Sequence, residues 1–265
     1  MPSSDLRLIV LGSRGSMATC GPGYSEFGCS TSCYLVQFRD QSLILDAGSG
    51  ILQAPASSGE TPAILVSHWH LDHLLGLCMY ARLNHSETQT DLYLPASSSE
   101  AAQQCLDRLF APPFWPLTLG EYPCRLRVRA FPRTLDHGPF HVTTTEGNHP
   151  GGCLVIKVEC DGKTIVYVTD YEHEASSFAR LTEFSRCADL LLYDAQYTEE
   201  EYETHRGYGH STPEKGIELM QASGAKRLLL IHHDPKSTDD ILRQREMQLT
   251  DPHVQLAHEG DVIEL

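Results

Sequence analysis

Short apolar runs recur along the whole chain, separated by polar residues and turn formers. Such runs, rich in Leu, Ile, Val, Tyr and Phe, are typical of β-strands rather than of helices. Several of them end in an aspartate or a histidine, so reactive side chains are expected at strand ends. The predicted strands lie in LRLIVL, CYLVQF, SLILDA, AILVSH, DLYLP, RLRVRAF, FHVTTT, CLVIKV, TIVYVTD, DLLLYDA and RLLLIHH.

Helical patterns are fewer, and the best of them is well delimited. Ser211-Thr212-Pro213-Glu214 forms a capping-box pattern with an early proline, and Gly224 follows that helix as a stop. The predicted helices are Leu74–Leu83, Glu100–Arg108, Ala175–Arg186 and Pro213–Ala222. Many strands with interleaved helices predict an α/β fold in which two packed sheets have helices outside them.

Nothing in the sequence divides the chain, since it has no Gly-, Ser- or Pro-rich linker and no internal repeat. We therefore predict one domain over residues 1–265. The segment Leu106–Leu117, LDRLFAPPFWPL, is aromatic and proline-rich and is not expected to be regular. Two interpretations stay open for it: a surface loop that packs Phe110, Phe114 and Trp115 onto the body, or a lid over a pocket.

The charge balance limits the partners of the protein. Acidic residues number 35 and basic residues 20, so the formal net charge is −15. This charge disfavours nucleic acid and anionic membranes as partners, although a local basic patch stays open. No window of about eighteen uninterrupted apolar residues exists, and the N-terminus lacks the pattern of an export signal. We predict a soluble, cytoplasmic protein that acts on a small molecule, and homodimerisation is left open.

Nine cysteines, an odd number spread over the chain, fit a reducing compartment better than a disulfide framework. Most of them are expected to be small core residues. Cys20, Cys29 and Cys33 lie close together among glycines. A structural metal site formed by these three with a histidine is the alternative for that region.

The densest group of ligating residues is HWHLDH at residues 68–73, which follows the apolar run Ala63–Val66. Histidine nitrogens and carboxylate oxygens suit zinc, iron or manganese. A strand that ends in a tight turn can direct alternate side chains into one cavity, so Trp69 and Leu71 are expected to point away into packing. A chance surface cluster of histidines is the alternative, but four fixed positions after a buried type of strand favour a metal site.

Three further motifs extend this pattern. His149 lies in EGNHPGG, Asp170 in VYVTDYEH and His232 in LLLIHHDP. Together with HWHLDH they resemble, in order, the metal-binding motifs of the metallo-β-lactamase superfamily, and the resemblance covers nearly the whole chain. It implies an αββα sandwich of two mixed β-sheets flanked by helices, with metals at one edge between the sheets.

The resemblance also implies ligands for two divalent ions, with zinc first and manganese or iron as alternatives. A hydroxide between the ions would be the nucleophile. The ligand set lacks cysteine and has histidine rather than glutamate at position 70, which argues against the antibiotic-hydrolysing lactamases and the di-iron reductases of the superfamily. The implied ligands are His68, His70 and His149 for one ion, Asp72, His73 and His232 for the other, and Asp170 as a bridge.

Several other histidines and one aspartate lie in or near these motifs without being assigned as metal ligands. His233 would point away from His232 on a strand, and the family match assigns the ligand to His232. Asp46 in LILDAGSG resembles a strand-end aspartate that supports the ligand histidines, and accepting N–H groups of the following turn is compatible with that role. His173 is either a pocket residue or an exposed loop residue. The remaining histidines match no motif and are expected to be mostly solvated, namely His85, His137, His141, His205, His253 and His258.

The segment from DAQYT to HHDP resembles the C-terminal part of ribonuclease Z and of related phosphodiesterases. The resemblance implies that His210, in GHST, donates a proton to the leaving group and pairs with an acidic residue. That residue is Asp194, where ribonuclease Z has the longer glutamate, so the contact between the two side chains is in question. In the alternative interpretation, Ser211 and Thr212 only cap a helix and His210 is a loop residue.

Only 21 positions separate His149 from Asp170, which leaves no room for the arm by which ribonuclease Z grips transfer RNA. The better likeness is to small armless members such as the cyclic phosphodiesterase of phosphonate breakdown. We predict a dinuclear metallohydrolase that cleaves a small or cyclic phosphodiester. A lactone or thioester hydrolase and a non-catalytic binding or sensing protein are the alternatives. In LGSRGS, Arg14 or Ser16 would contact substrate, or the glycines only serve tight turns.

Overall fold

The computed structural model describes residues 5–55 and 62–265, which form two β-sheets of seven strands each. The first sheet has the order β14-β1-β2-β3-β4-β5-β6, and the second has the order β13-β12-β11-β10-β9-β8-β7. The strands are β1 Leu6–Gly12, β2 Cys33–Phe38, β3 Gln41–Leu45, β4 Ala63–Leu65, β5 Gln89–Leu94, β6 Arg125–Ala130, β7 Thr134–His137, β8 Phe140–Gly147, β9 Cys153–Cys160, β10 Lys163–Val168, β11 Leu190–Asp194, β12 Leu228–Ile231, β13 Val254–Leu256 and β14 Val262–Glu264.

Five α-helices lie in the described ranges. They are α1 Ser99–Leu109, α2 Ala175–Phe184, α3 Glu199–His205, α4 Pro213–Ser223 and α5 Asp239–Gln248. Three of the predicted helices are confirmed to within two residues at each end, as α1, α2 and α4. Thr212 caps α4 as predicted, and Gly224 ends it with a φ of 71°. The sequence did not indicate α3, which begins with a capping box between Thr198 and Glu201.

The predicted helix Leu74–Leu83 is wrong. This stretch forms short 3-10 turns instead, the first of them at Leu77–Met79. Gly76 interrupts the helical ladder, because its N–H donates to Ala47 O at 3.0 Å rather than to a carbonyl one turn earlier. A Cβ at this position would lie 2.1 Å from Gly48 O. Close packing against the turn after β3 therefore decides the local conformation.

The two sheets face each other across an apolar core. Leu8 and Val36 of the first sheet share one buried cluster with Ile156 and Leu192 of the second sheet. Residues on the outer face of each sheet pack under helices, with α1 on the first sheet and α2, α4 and α5 on the second. Burial of both faces stabilises the layers by removing apolar surface from water. The predicted αββα sandwich is confirmed.

Strand ends bring the polar residues to one edge of this sandwich. β10, β11 and β12 are parallel neighbours, so Asp170, Asp194 and His232 come together at their carboxyl ends. Three residues at strand ends hold left-handed backbone conformations, with a φ of 62° at Asp46, 47° at Asp170 and 64° at His232. Such values cost non-glycine residues about 1–3 kcal/mol each, and they persist only where the surroundings enforce them.

The segment Leu106–Leu117 begins within α1 and continues as a surface loop. Phe110 is buried, and Trp115 is partly buried with its indole N–H donating to Tyr122 Oη at 3.0 Å. Phe114 is 81% exposed, so the prediction that it packs onto the body is wrong. Its neighbour Trp115 takes the inward position. The segment contributes no residue to the cavity at the metal-ligating residues, which disfavours the lid interpretation.

The three cysteines considered for a structural metal site do not form one. Cys33 is buried in β2, Cys20 is exposed, and Cys29 Sγ donates to Tyr24 O at 3.3 Å. Within residues 5–55 and 62–265, no group of metal-ligating side chains includes a cysteine. In the same ranges, none of the helices has the length and apolar character needed to cross a membrane.

Candidate metal centre

Seven side chains from four segments of the chain converge where the edges of the two sheets meet. They form two groups, and the ligand atoms within each group lie within 4.8 Å of one another. All of these side chains except that of His70 are buried. The first group contains His68, His70, His149 and Asp170, and the second contains Asp72, His73, Asp170 and His232. The structure thus brings together every residue that the sequence assigned to metal binding.

Asp170 lies between the two groups. Its Oδ1 is 3.6 Å from His68 Nε2 and 3.7 Å from His149 Nε2. Its Oδ2 is 3.1 Å from both His73 Nε2 and His232 Nε2. One carboxylate therefore presents one oxygen to each group, which is the arrangement that a bridging ligand requires.

The chemistry of the donor atoms fits metal ions. Among the described residues, His68 Nε2 and His73 Nε2 are buried without a hydrogen-bond partner, although buried polar atoms are nearly always paired. His73 Nε2 is also 3.1 Å from Asp72 Oδ2, so imidazole nitrogens and carboxylate oxygens face the same space. Donors of these two kinds suit Zn²⁺, Mn²⁺ and Fe²⁺. The residues present therefore fit divalent cations.

Asp46 makes the contacts expected of a residue that supports ligand histidines. Its Oδ2 accepts from His73 Nδ1 at 2.7 Å, from Ser67 Oγ at 2.8 Å and from Tyr167 Oη at 2.6 Å. Ser67 Oγ is in turn 3.0 Å from His68 Nδ1. Because these hydrogen bonds occupy the Nδ1 atoms, the Nε2 atoms of both rings are directed to the metal groups.

Glu172, which the sequence did not indicate, holds the loop beside His149. Its carboxylate accepts from Gly207 N–H at 2.8 Å, from Gly209 N–H at 3.0 Å and from Tyr202 Oη at 2.9 Å. Gly209 O in turn accepts from His149 Nδ1 at 2.9 Å, and a Cβ on Gly209 would lie 2.0 Å from that nitrogen. A carboxylate that binds backbone groups far along the chain leaves no sequence pattern, which explains why Glu172 was missed.

His210 lies beside the metal groups and contacts Asp194. The two residues join through His210 Nδ1 and Asp194 Oδ2 at 2.8 Å, so the aspartate reaches the ring despite its shorter side chain. Asp194 Oδ1 accepts from Gln196 N–H at 3.0 Å, which fixes the carboxylate. The ring of His210 stacks on that of His232, with centroids 4.8 Å apart. With Nδ1 occupied, Nε2 is the nitrogen left for a ligand in the cavity that His210 lines.

The two groups differ in charge in the metal-free protein. Burial lowers the pKa of His68 and of His149 below the ordinary histidine value, so both rings are neutral near pH 7. Burial also opposes the charged forms of His73 and His232, but nearby carboxylates such as Asp170 outweigh it. They raise the pKa of His73 well above its usual range and the pKa of His232 to about 9.

This difference predicts proton release when metal binds. At pH 7 the second group binds a cation only after His73 and His232 lose their protons, whereas His68 and His149 are already neutral. We expect these two histidines to release about two protons at pH 7 when both groups are filled, in addition to the proton that a water bound between the ions would lose. The number should fall as the pH rises through about 9, where His232 deprotonates without metal. Calorimetric titration in buffers of different ionisation enthalpy measures this number, and a buffer-independent enthalpy would contradict the prediction.

The N-terminal loop contributes one of the two residues considered for substrate contact. Arg14 is fully buried, and its guanidinium donates to Gly28 O at 2.8 Å and to Ser237 O at 2.6 Å. A substrate role for Arg14 is therefore wrong, because this side chain does not line the cavity. Its Nε and Nη1 donate to backbone carbonyls, and its Nη2 lies 3.9 Å from Asp239 Oδ1. Ser16 does border the cavity, and its N–H donates to Asp72 Oδ2 at 2.7 Å.

The other histidines lie outside the metal groups. His233 points away from His232, as predicted, and its Nε2 donates to Ala257 O at 2.9 Å. His173 is half-buried, with its ring centroid 5.0 Å from that of Phe178, and it does not line the cavity. The histidines that match no motif are exposed or half-buried, as expected, namely His85, His137, His141, His205, His253 and His258.

An open cavity of about 350 Å³ leads to the metal groups. The expectation that Trp69 and Leu71 point away into packing is wrong for Leu71, which is 52% exposed. Leu71 begins a 3-10 turn in which Asp72 and His73 take the buried positions. Trp69 is half-buried but also borders the cavity. The lining residues are Ser16, Trp69, His70, Leu71, Asp72, Asp170 and His210.

Comparison with known proteins identifies relatives along most of the chain. The family described as Beta-lactamase superfamily domain matches residues 42–233. The probable metallo-hydrolase YhfI of Bacillus subtilis is 27% identical over 257 residues, covering 92% of this chain and 97% of that protein. Ribonuclease Z of Acaryochloris marina is 26% identical over 278 residues, covering 83% of this chain and 87% of that protein.

Solved structures share the fold. The crystal structure of YhfI has a TM-score of 0.75 at 22% identity and covers 98% of this chain and 99% of that one. A diphosphatase from the PhnP family has a TM-score of 0.72 at 19% identity and covers 98% and 97%. The family match and the curated relatives confirm the class of metal-dependent hydrolase that the motifs predict. Since the matched segment exceeds half of the chain and contains both metal groups, the chain belongs to the beta-lactamase superfamily.

Proposed function

We propose that the protein is a dinuclear phosphodiesterase that cleaves a small or cyclic phosphodiester. The observation that carries this proposal is the position of Asp170, which turns one oxygen toward each metal-ligating group. His210 lies beside the same carboxylate, with Nδ1 3.8 Å from Asp170 Oδ1. A shared carboxylate between two histidine groups supports two ions rather than one.

The proposed ions are divalent, with zinc first and manganese or iron as alternatives. A pair of bound divalent ions would lower the pKa of a water molecule and stabilise negative charge on a phosphoryl group. The proposed ligands are His68, His70 and His149 for one ion, Asp72, His73 and His232 for the other, and Asp170 for both.

Asp194 and His210 are proposed to act on the leaving group. The carboxylate of Asp194 stabilises the protonated imidazole and fixes its orientation through Nδ1. The proton on His210 Nε2 can then move to the oxygen that leaves phosphorus, while Asp194 keeps its charge. An alkoxide is a poor leaving group without such a proton, so the pair suits alkyl phosphodiesters.

Two of the relatives are named for phosphate chemistry, ribonuclease Z and a diphosphatase of the PhnP family. These names support a phosphodiester over a lactone or thioester as the substrate. The formal charge of −15 supports a small substrate over a nucleic acid. The cytoplasmic location and the small-molecule substrate stay predictions, and homodimerisation stays open.

Metal analysis combined with a substrate comparison tests the proposal. The purified protein, loaded with Zn²⁺ or Mn²⁺, is expected to hold about two ions per chain. It should hydrolyse bis(p-nitrophenyl) phosphate faster than an acyl-homoserine lactone or a thioester. Turnover of the lactone alone would instead indicate an acyl hydrolase. Full metal loading without turnover across a broad panel would indicate a binding or sensing protein.

A further inference from the structure

The cavity at the metal groups has an apolar wall formed by Trp69 and Leu71. The rest of its lining is Ser16 and residues of the metal-ligating and proton-donating sets. Among the described residues, no lysine or arginine lines it. Those two side chains are the usual partners for additional phosphate or carboxylate groups of a ligand. The lining therefore suits a substrate that carries no charge away from phosphorus.

The charge of the buried groups also limits the substrate. Four buried carboxylates lie in or beside the metal groups, those of Asp46, Asp72, Asp170 and Asp194. Two divalent ions would balance these four formal charges if the histidines bind as neutral rings. A phosphodiester adds one negative charge to this balance. A phosphomonoester or a polyphosphate adds more, and among the described residues the lining has no lysine or arginine to compensate.

The apolar wall is held in a fixed position. The indole N–H of Trp69 donates to Pro95 O at 2.8 Å, and the ring packs at the edge of the outer apolar cluster of the first sheet. Leu71 is 52% exposed, whereas the next two residues in its 3-10 turn are buried. An aromatic ring in a set orientation and an exposed leucine beside the reacting centre form a surface for an apolar ligand group.

We propose that the substrate is a singly charged phosphodiester with an uncharged alkyl or aryl ester group, which binds against Trp69 and Leu71. This inference rests on the proposed function, because it places phosphorus at the metal groups. Removing an aryl group from water against this wall should raise kcat/KM about tenfold over a methyl ester. A carboxylate on that aryl group should cancel the gain.

Three substrates with the same leaving group test the inference. They are the methyl, phenyl and 4-carboxyphenyl esters of p-nitrophenyl phosphate. In the wild-type protein we expect kcat/KM for the phenyl ester to exceed the other two values about tenfold. In Leu71→Ala and in Trp69→Ala the ratio of phenyl to methyl should fall to about threefold or less.

Leu75→Ala is the matched control. Leu75 is 53% exposed, as Leu71 is, but it does not line the cavity. We expect this variant to keep the wild-type ratio of phenyl to methyl. Equal falls in the Leu71 and Leu75 variants would overturn the inference. A 4-carboxyphenyl ester cleaved as fast as the phenyl ester would also overturn it.

A binding measurement separates failure of this inference from failure of the proposed function. The chain has two tryptophans, so Trp115→Phe leaves Trp69 as the only indole reporter. In the metal-loaded variant, diphenylphosphinate should change the fluorescence with a Kd about tenfold below that of dimethylphosphinate. Equal Kd values for the two phosphinates would overturn the proposal that an apolar group binds against Trp69 and Leu71. Selective binding of the phenyl compound without turnover of any diester would support the apolar contact with Trp69 and Leu71. It would contradict only the proposed phosphodiesterase activity.

Discussion

Asp170→Ala is expected to lose its bound metal and to lower kcat by about four orders of magnitude or more. The carboxylate is 1% exposed and faces all the buried histidines of both groups. Alanine removes the one side chain that the groups share, and it leaves His73 and His232 without a carboxylate that lies 3.1 Å from each. Elemental analysis after dialysis, together with the rate on a phosphodiester, measures both effects.

Asp189→Ala provides the control for this variant. Asp189 is also buried, but it lies just before β11, at the end of the strand opposite to Asp194. It accepts from Lys226 Nζ at 2.7 Å and from Thr164 N–H at 2.9 Å. Its loss should lower the free energy of unfolding by about 1–3 kcal/mol without loss of metal. Full metal content and activity in Asp170→Ala would show that the proposed centre is wrong.

His210→Ala is expected to keep its metal and to lose about 10²–10⁴-fold in kcat on alkyl phosphodiesters. The loss should be much smaller with p-nitrophenolate as the leaving group, since that anion leaves without a proton. The physical reason is the contact of Nδ1 with Asp194, which leaves Nε2 as the donor. A plot of log kcat against leaving-group pKa should therefore be steeper for the variant than for the wild-type protein.

His205→Ala is a suitable comparison, because His205 ends α3 five residues before His210 and stacks on Tyr197 with ring centroids 4.6 Å apart. It belongs to neither metal group, so its removal should leave the slope unchanged. If His210→Ala lowers all rates equally, or leaves the alkyl substrates unaffected, His210 is not the proton donor. The alternative of a loop residue beside a helix cap would then stand.

The parts of the site that could be predicted are those fixed by local geometry or by family motifs. The six residues of HWHLDH come shortly after β4, so the convergence of their ligand atoms needs only one tight turn of chain. His233 points away from His232 as strand alternation predicted, although both residues follow β12 and His232 has a φ of 64°. The partners at His149 and Asp170 came from the resemblance, because no spacing rule places residues so far apart in the chain next to each other.

The parts that could not be predicted depend on packing between distant segments. Leu74–Leu83 has a helical pattern, but the close approach of Gly76 to Gly48 O interrupts it. The alternation of side chains along a strand predicts that Leu71 packs against the protein. Residues Leu71–His73 form a 3-10 turn instead, so this alternation does not apply to them. Glu172 binds the backbone N–H groups of Gly207 and Gly209. Such a contact depends on the backbone and not on the side chains of its partners, so the sequence does not indicate it.

The left-handed backbone of Asp46, Asp170 and His232 has a consequence for engineering this chain. Glycine at any of these positions would relieve about 1–3 kcal/mol of conformational cost. At Asp46, however, it would leave the buried donors of Ser67, His73 and Tyr167 without their acceptor, which costs at least as much. The strain at these three positions is therefore held in place by the hydrogen bonds and ion pairs of the site, and substitutions for heat resistance belong at residues outside it.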